Sequence, residues 1–133
     1  MGVGNAVQFA GRVNVAEWLP RIDLIVLTNL SEAQPLVILE GDACGVPVVA
    51  PDVGSCWEMI EGRAPALERP GGIVTQLVNP ECTAAAILDL LRAPSLRRAM
   101  GEALRERVIK DYGRSAIIAE YRHIYDALSA RAI

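Results

Sequence analysis

Histidine, cysteine and aromatic residues are scarce in this chain of 133 residues, and each scarcity excludes a class of function. One His and three Cys, without any Cys-x-x-Cys spacing, offer no zinc site, no imidazole-based metal centre and no disulfide framework. Aromatic side chains make up only 5% of the residues, too few for a surface that stacks single-stranded nucleic acid. The net charge of −3 gives no basic field that would attract a nucleic-acid partner.

Long apolar runs are missing as well. Leu24–Leu27 and Val46–Ala50 are far shorter than the roughly 20 residues of a membrane-spanning helix, and the first residues carry no signal-peptide charge pattern. We therefore expect reduced thiols and a cytoplasmic protein, with peripheral attachment at the inner face of the membrane as the alternative. The hydrophobic fraction of 52% excludes disorder, and the length suits one domain over residues 1–133.

Short apolar runs that alternate with helical patterns predict an α/β fold. Three runs are typical of buried parallel strands, and Val7–Phe9 indicates a further short strand. Proline and glycine mark helix ends, as at Pro35 and Gly45. This order predicts a Rossmann-like parallel sheet with helices on both faces. The other predicted strands are Asp23–Thr28, Pro47–Ala50 and Ile73–Thr75, and the predicted helices are Val15–Leu19, Leu36–Cys44, Ser55–Glu61, Asn79–Arg92, a helix that begins at Pro94, and Arg114–Ala130.

Some polar and charged segments receive structural interpretations. Ala64–Pro70 is predicted to be a flexible loop, and Asp23 is interpreted as a structural residue at a strand start. His123 lies in the amphipathic last helix and is interpreted as a surface or packing residue. A group of basic residues is predicted to form a solvated helix face with i,i+4 ion pairs. This group contains Arg97, Arg98, Arg105, Arg107 and Lys110.

The segment from Asn29 to Glu40 carries the most chemistry. It follows a buried strand and begins a helix, which places it at the carboxyl edge of the sheet, where ligands bind in open α/β folds. The helix start presents unpaired N–H groups to a phosphate. Glu32 and Glu40 flank this start, so each carboxylate could accept a hydrogen bond from a sugar hydroxyl while a diphosphate lies between them. The alternative is that both acids merely complement the helix dipole.

One long motif includes both glutamates. It runs Leu27-Thr28-x-x-Ser31-Glu32-x-x-Pro35-Leu36-x-x-x-Glu40-x-x-Ala43-Cys44-Gly45-Val46-Pro47-Val48-Val49-Ala50-x-Asp52-Val53-Gly54. This motif resembles the C-terminal domain of the family 4 retaining glycosyltransferases, which have the GT-B fold of two Rossmann-like domains. Further matches at Val7-x-Phe9-x-Gly11 and Tyr121-x-x-x-Tyr125 extend the resemblance over nearly the whole chain. It implies a fragment that lacks the N-terminal acceptor domain and the first strand of its own domain.

The resemblance also implies roles for single residues. Glu32 matches the glutamate at the transferred sugar and is the candidate catalytic residue, with a positioning and stabilising role. Glu40 matches the glutamate that holds the ribose hydroxyls. Between them, the residues that lie against the diphosphate and the sugar are Gln34, Pro35, Leu36 and Val37, with the backbone N–H groups of Leu36 and Val37 as donors.

The turn that follows the next strand, Gly54-Ser55, is a weaker candidate for donor binding. It could contact the phosphate or sugar of the donor, or it could be a plain turn in which Ser55 caps a helix with Glu58 at the capping-box position. Two segments, Pro35–Glu40 and Asp52–Cys56, resemble a branch linked to exopolysaccharide assembly (Pel-type), which uses a UDP-glucose donor. The resemblance implies no metal and no cofactor besides the nucleotide-sugar substrate.

Three departures from the family pattern favour a second reading. Ala33 stands where the family usually has Gly, and Gly41-Asp42 stand where it prefers Ala and an apolar residue. The basic residues that clamp the diphosphate lie upstream in the family, and neither Arg12 nor Lys110 matches them. These departures favour a non-catalytic doubly wound interaction or regulatory module. An epimerase or phosphorylase relative with the GT-B fold is a third reading.

The first reading remains the main expectation. The chain is then the donor-binding domain of a retaining glycosyltransferase (a hexosyltransferase) of polysaccharide biosynthesis. It uses a UDP-sugar such as UDP-glucose and a saccharide or lipid-linked acceptor, and it is inactive in isolation. Its expected partners are that donor and the missing acceptor domain. Self-association through the exposed domain interface, the last helix above all, is also expected.

Overall fold

The computed structural model describes residues 2–62 and 69–131 and shows a parallel three-stranded sheet. The strands lie in the order β1 (Ile25–Val26), β2 (Val48–Pro51) and β3 (Gly72–Thr75). Ile25 pairs with Val48, and Val49 pairs with Ile73. The predicted α/β class with buried parallel strands is confirmed.

The described ranges contain six α-helices. Most predicted helix bounds agree to within one or two residues because local signals set them. Asn14 and Asn79 accept backbone N–H groups at two helix starts, and Gly45 ends the second helix in the left-handed conformation. The helices are α1 (Val15–Trp18), α2 (Leu36–Cys44), α3 (Cys56–Glu61), α4 (Pro80–Arg92), α5 (Pro94–Asp111) and α6 (Arg114–Arg131), with short 3₁₀ helices at Gly4–Ala6 and Leu19–Arg21.

The two faces of the sheet are covered by different helices, as the alternation of side chains along a strand requires. On one face, Val48 and Ala50 of β2 pack in a cluster with residues of α2, α3 and α5. On the other face, Val49 packs against Ala86 and Leu90 of α4. This arrangement confirms the prediction of helices on both faces. It also leaves the carboxyl ends of β1 and β2 at one edge, where the loops to α2 and α3 begin.

The N-terminal prediction is wrong. Val7–Phe9 belongs to no strand, although Val7 has an extended backbone, and Phe9 is 96% exposed. A strand needs a neighbour to receive its backbone hydrogen bonds, and the sheet offers this segment none. The same cause shortens β1, because β1 lies at the edge of the sheet and pairs only with β2. The predicted loop Ala64–Pro70 lies outside the described residues apart from its last two positions.

Helix α6 presents its apolar stripe to solvent. Tyr121, Ile124, Tyr125 and Leu128 are each more than half exposed, and His123 is also exposed, as predicted for a surface residue. Within residues 2–62 and 69–131, no helix has both the length and the apolar character needed to cross a membrane.

The predicted solvated basic face is wrong at Arg107. Its side chain is buried and donates hydrogen bonds to the carbonyls of Met59 (3.0 Å), Ile60 (2.7 Å) and Arg69 (2.7 Å). The carbonyls near the end of α3 need donors, and the guanidinium supplies them. Elsewhere on α5, Arg97 pairs with Asp23 at 3.1 Å, a contact that is consistent with the structural interpretation of Asp23.

Asp42 of α2 is buried as well, with 1% of its surface exposed. Its Oδ1 atom has no hydrogen-bond partner in the described part of the chain. Burial raises the pKa of the Asp42 carboxyl to about 8, although the positive charge of Arg107 opposes the shift. At pH values below about 8 the folded protein therefore holds a neutral carboxyl group on the buried face of α2, the helix whose exposed face carries Glu40.

We expect Asp42→Asn to change how stability depends on pH. The folded pKa of about 8 lies above the unfolded value of 3.8, so the folded state retains a proton that the unfolded state loses. Wild-type stability should fall as pH rises from about 4 to about 8, by up to about 1.4 kcal/mol per pH unit, and then level off. Urea unfolding at pH 5, 7 and 9 should show that the free energy of unfolding of the variant rises relative to that of the wild type as the pH increases. Asp89→Asn, an exposed change on α4, is the control, and a difference between variant and wild type that is constant with pH would contradict the assignment.

Candidate functional site

The candidate site begins with the loop from β1 to α2. Pro35 is buried and stands at the N-cap position with an extended backbone, and no side chain of the described residues caps the helix. Ile38 N–H donates to the Pro35 carbonyl at 3.1 Å. The first N–H groups, those of Leu36 and Val37, are therefore left for solvent or a ligand at the positive end of the helix dipole.

The loop from β2 to α3 packs directly on this first loop. Ser55 donates to the Ala33 carbonyl twice, from its backbone N–H at 2.9 Å and from Oγ at 3.0 Å. Gly54 has a φ of +54°, and a Cβ there would lie 2.2 Å from the Glu32 carbonyl oxygen. Only glycine permits this approach. The structure therefore places Gly54 and Ser55 next to Glu32. A binding role for this turn requires that proximity.

The proposed cap by Ser55 is wrong. Ser55 occupies the N-cap position of α3, but its side chain makes no capping hydrogen bond. Its hydroxyl is directed to the Ala33 carbonyl instead, with Met59 Sδ also 3.3 Å away. A contact between loops that are 22 residues apart has replaced the local one.

Glu32 is half-buried and held from its own loop. Asn29 Nδ2 donates to Glu32 Oε1, which fixes the carboxylate at the edge of the sheet. Burial is the largest cause of a raised pKa at Cys56, and the negative charges of Glu32 and Asp52 raise it further. The Cys56 thiol is therefore a neutral, buried group behind the acidic side chains. Sequence reasoning assigned no role to Asn29 at the candidate site, although its position shortly after β1 was a signal.

Glu40 and Leu36 share the exposed face of α2. They are four residues apart, which places them one above the other on a helix, and Leu36 is 66% exposed. Ile38, Gly41 and Asp42 form the opposite, buried face. Gln34 is exposed in the loop and Val37 is half-buried. The structure thus gathers the predicted residues around one helix start and the turn beside it.

The side chains of Glu32 and Glu40 bring negative charge to this site, and the backbone at the start of α2 brings partial positive charge. Among residues 2–62 and 69–131, neither Glu32 nor Glu40 forms an ion pair, and no group of three or more His, Cys, Asp or Glu residues could hold a metal ion. Such a site can accept hydrogen bonds from hydroxyl groups through its carboxylates. It can also donate N–H groups to an anion at the helix start.

Comparison with known proteins gives a family. The family model described as "Glycosyl transferases group 1" matches residues 1–93. The chain is 33% identical over 124 residues to N-acetyl-alpha-D-glucosaminyl L-malate synthase of Bacillus anthracis, covering 92% of this chain and 31% of that relative. It is also 33% identical over 129 residues to D-inositol 3-phosphate glycosyltransferase 2 of Catenulispora acidiphila, covering 94% and 28%. The chain thus spans about a third of the length of these relatives.

Solved structures agree on the fold. Sucrose-phosphate synthase from Thermosynechococcus elongatus superposes with a TM-score of 0.86 at 26% identity, over 97% of this chain and 32% of that one. Anabaena HepE in complex with UDP superposes with a TM-score of 0.76 at 22% identity, over 95% and 33%. With the family match over more than half of its residues, this chain belongs to the group 1 glycosyl transferases.

Proposed function

We propose that this chain is the donor-binding part of a retaining glycosyltransferase. The enzyme would transfer a sugar from a UDP-sugar such as UDP-glucose to a saccharide or lipid-linked acceptor. The observation that carries the proposal is the uncapped start of α2, flanked by Glu32 and Glu40 and joined to the Gly54-Ser55 turn. Family membership supports it, and so do the structures of Anabaena HepE in complex with UDP and with UDP-glucose.

Each group at the site has a part in this proposal. The N–H groups of Leu36 and Val37 receive the diphosphate, and Glu40 accepts hydrogen bonds from the ribose. Glu32, held by Asn29, positions the hydroxyl groups of the transferred sugar. These charge-assisted hydrogen bonds select a polyol. No metal takes part in the proposed binding, and the exopolysaccharide branch remains a prediction.

The acceptor side of the cleft would come from a further domain. The relatives are about three times as long as this chain, and the apolar stripe on α6 offers a surface for such a domain or for a second copy. We therefore propose that the isolated chain binds its donor weakly, has little or no transferase activity, and self-associates at high concentration.

The two glutamates should contact different parts of the donor, so their substitution should affect the binding of UDP and of UDP-glucose differently. We expect Glu40→Gln to weaken binding of both UDP and UDP-glucose about tenfold, because its partner, the ribose, is common to both. Glu32→Gln should weaken the binding of UDP-glucose by a similar factor but should not weaken the binding of UDP, which has no sugar for Glu32 to hold. NMR titration at millimolar ligand measures both affinities, with the exposed α6 change Glu120→Gln as the control.

The titration also separates the proposed function from its alternative. Wild-type shifts at residues 32–37 and at Glu40 support donor binding. If millimolar UDP and UDP-glucose leave all of these amides unmoved, the donor assignment is wrong and a non-catalytic module becomes the better account.

Gly54→Ala tests the contact between the two loops. Its Cβ would clash with the Glu32 carbonyl, so we expect the loops to separate and the shifts caused by UDP at residues 34–37 to be lost. Gly11→Ala is a matched control, because Gly11 has a similar φ of +65° with nothing within 4 Å of its added Cβ. Both variants bear the left-handed penalty of about 1–2 kcal/mol, so a further loss of stability in Gly54→Ala alone measures the clash. Equal UDP binding by the two variants would show that the contact does not shape the site.

A further inference from the structure

Asn29 holds Glu32 but leaves part of its own amide unused. Because a carboxylate can only accept, the Nδ2 group of Asn29 faces Glu32 Oε1 and the Oδ1 atom is turned away from it. Among the described residues, none donates a hydrogen bond to Asn29 Oδ1. This oxygen is not buried, since Asp42 Oδ1 is the one buried side-chain atom without a partner in the described ranges. The side chain also lines an open cavity of about 340 Å³, so a ligand can reach its free carbonyl oxygen.

A second pair with the same spacing shows what a structural asparagine does in this chain. Asn14 Nδ2 donates to Glu17 Oε1 at 2.8 Å, three residues along, as Asn29 donates to Glu32. The Asn14 carbonyl oxygen, however, accepts the Ala16 N–H at 3.2 Å and caps α1. No helix starts at Asn29, because α2 begins further along the chain. Helix capping therefore accounts for Asn14 but not for Asn29.

Together, Asn29 and Glu32 present the groups that recognise adjacent hydroxyls. Asn29 Oδ1 and the Glu32 carboxylate are neighbouring acceptors joined by a hydrogen bond, and the second N–H of the amide is a donor beside them. Two adjacent hydroxyls of a sugar ring can each donate to one of these acceptors, while one of them accepts the remaining N–H. Hydrogen bonds in such a network strengthen one another. The pair is therefore better suited to two neighbouring hydroxyls than to a single one.

We propose that Asn29 is a specificity-determining residue of the donor site, which binds one hydroxyl of the transferred sugar while Glu32 binds the adjacent hydroxyl. This inference rests on the proposed function and adds a substrate class to it. The donors are sugar nucleotides whose transferred sugar has two adjacent, unsubstituted hydroxyls. A donor that lacks either hydroxyl leaves a polar group of the pair without its partner, which weakens binding.

A double-mutant comparison separates this role from mere support of Glu32. In a Glu32→Ala background there is no carboxylate to hold, so Asn29→Ala should have no further effect if holding Glu32 is the whole role of Asn29. We expect instead that Asn29→Ala weakens the binding of UDP-glucose about fivefold further, as the loss of one neutral hydrogen bond does. It should not weaken the binding of UDP. NMR titration measures both affinities, and retained UDP binding shows that the start of α2 is intact.

Monodeoxy analogues of UDP-glucose identify the contact. In the Glu32→Ala background, one analogue should bind the single and the double variant equally well, because it lacks the hydroxyl that Asn29 binds. The analogue whose binding is insensitive to Glu32→Gln should lack a neighbouring hydroxyl. Asn14→Ala in the same background is the matched control, because it breaks the other pair of this spacing, and it should leave all of these affinities unchanged.

If Glu32→Ala loses UDP binding, the same analogues decide the question in the chain that retains Glu32. The loss of affinity caused by Asn29→Ala should then be smaller for two analogues, the one without the hydroxyl bound by Asn29 and the one without the hydroxyl bound by Glu32. A smaller loss for only one analogue would show that Asn29 acts through Glu32 alone and would overturn the inference.

The outcomes also distinguish this inference from the proposed function. If UDP and UDP-glucose bind the wild type but Asn29→Ala has no effect in the Glu32→Ala background, the inference is wrong and the donor assignment stands. An equal loss for every analogue likewise overturns the inference, because it indicates a general disturbance of the loop. If neither ligand binds the wild type at millimolar concentration, the proposed function is wrong and the inference falls with it.

Discussion

The double hydrogen bond from Ser55 to the Ala33 carbonyl is the contact on which the site depends. It joins the loops after β1 and β2, which parallel pairing brings to the same edge of the sheet. Gly54 makes the contact possible because its missing Cβ leaves room for the Glu32 carbonyl. The position of Glu32 is thus determined twice, by Asn29 within its own loop and by the neighbouring turn through its backbone. A loop held in this way can bind with a small entropic penalty.

Beneath this edge, the core contributes less to stability than its apolar clusters alone suggest. Asp42 lies on the buried face of the helix whose other face carries Glu40, and an unpartnered buried carboxylate oxygen reduces stability. Arg107 partly compensates as a nearby positive charge, but its own hydrogen bonds go to the carbonyls near the end of α3 and to Arg69. Because burial raises the pKa of the Asp42 carboxyl to about 8, this side of α2 has a stability that varies with pH.

Local chemistry made some of the fold predictable. Pro35 and Gly45 set the bounds of α2, and Asn79 with Pro80 set the start of α4, because caps and left-handed ends depend on few neighbours. The errors have a common cause. Val7–Phe9 has no neighbouring strand with which to pair. Ser55 donates to a carbonyl 22 residues away instead of capping its own helix. Arg107 is buried and donates to carbonyls that are distant in sequence. Each of these outcomes depends on tertiary contacts that no short window of sequence contains.

Electrostatics explain why the candidate donor site would be incomplete with this chain alone. A diphosphate at the start of α2 would meet about half a positive charge from the helix dipole. The same region holds Glu32, whose charge reaches Cys56, and Asp52, and these carboxylates repel the ligand that the helix attracts. The hydroxyl groups of a sugar nucleotide can satisfy the carboxylates, but they cannot neutralise the phosphates. In the proposed enzyme, tight donor binding would therefore need the basic residues that the family resemblance places upstream, on the first strand of the same domain, so donor affinity would depend on that strand being in place.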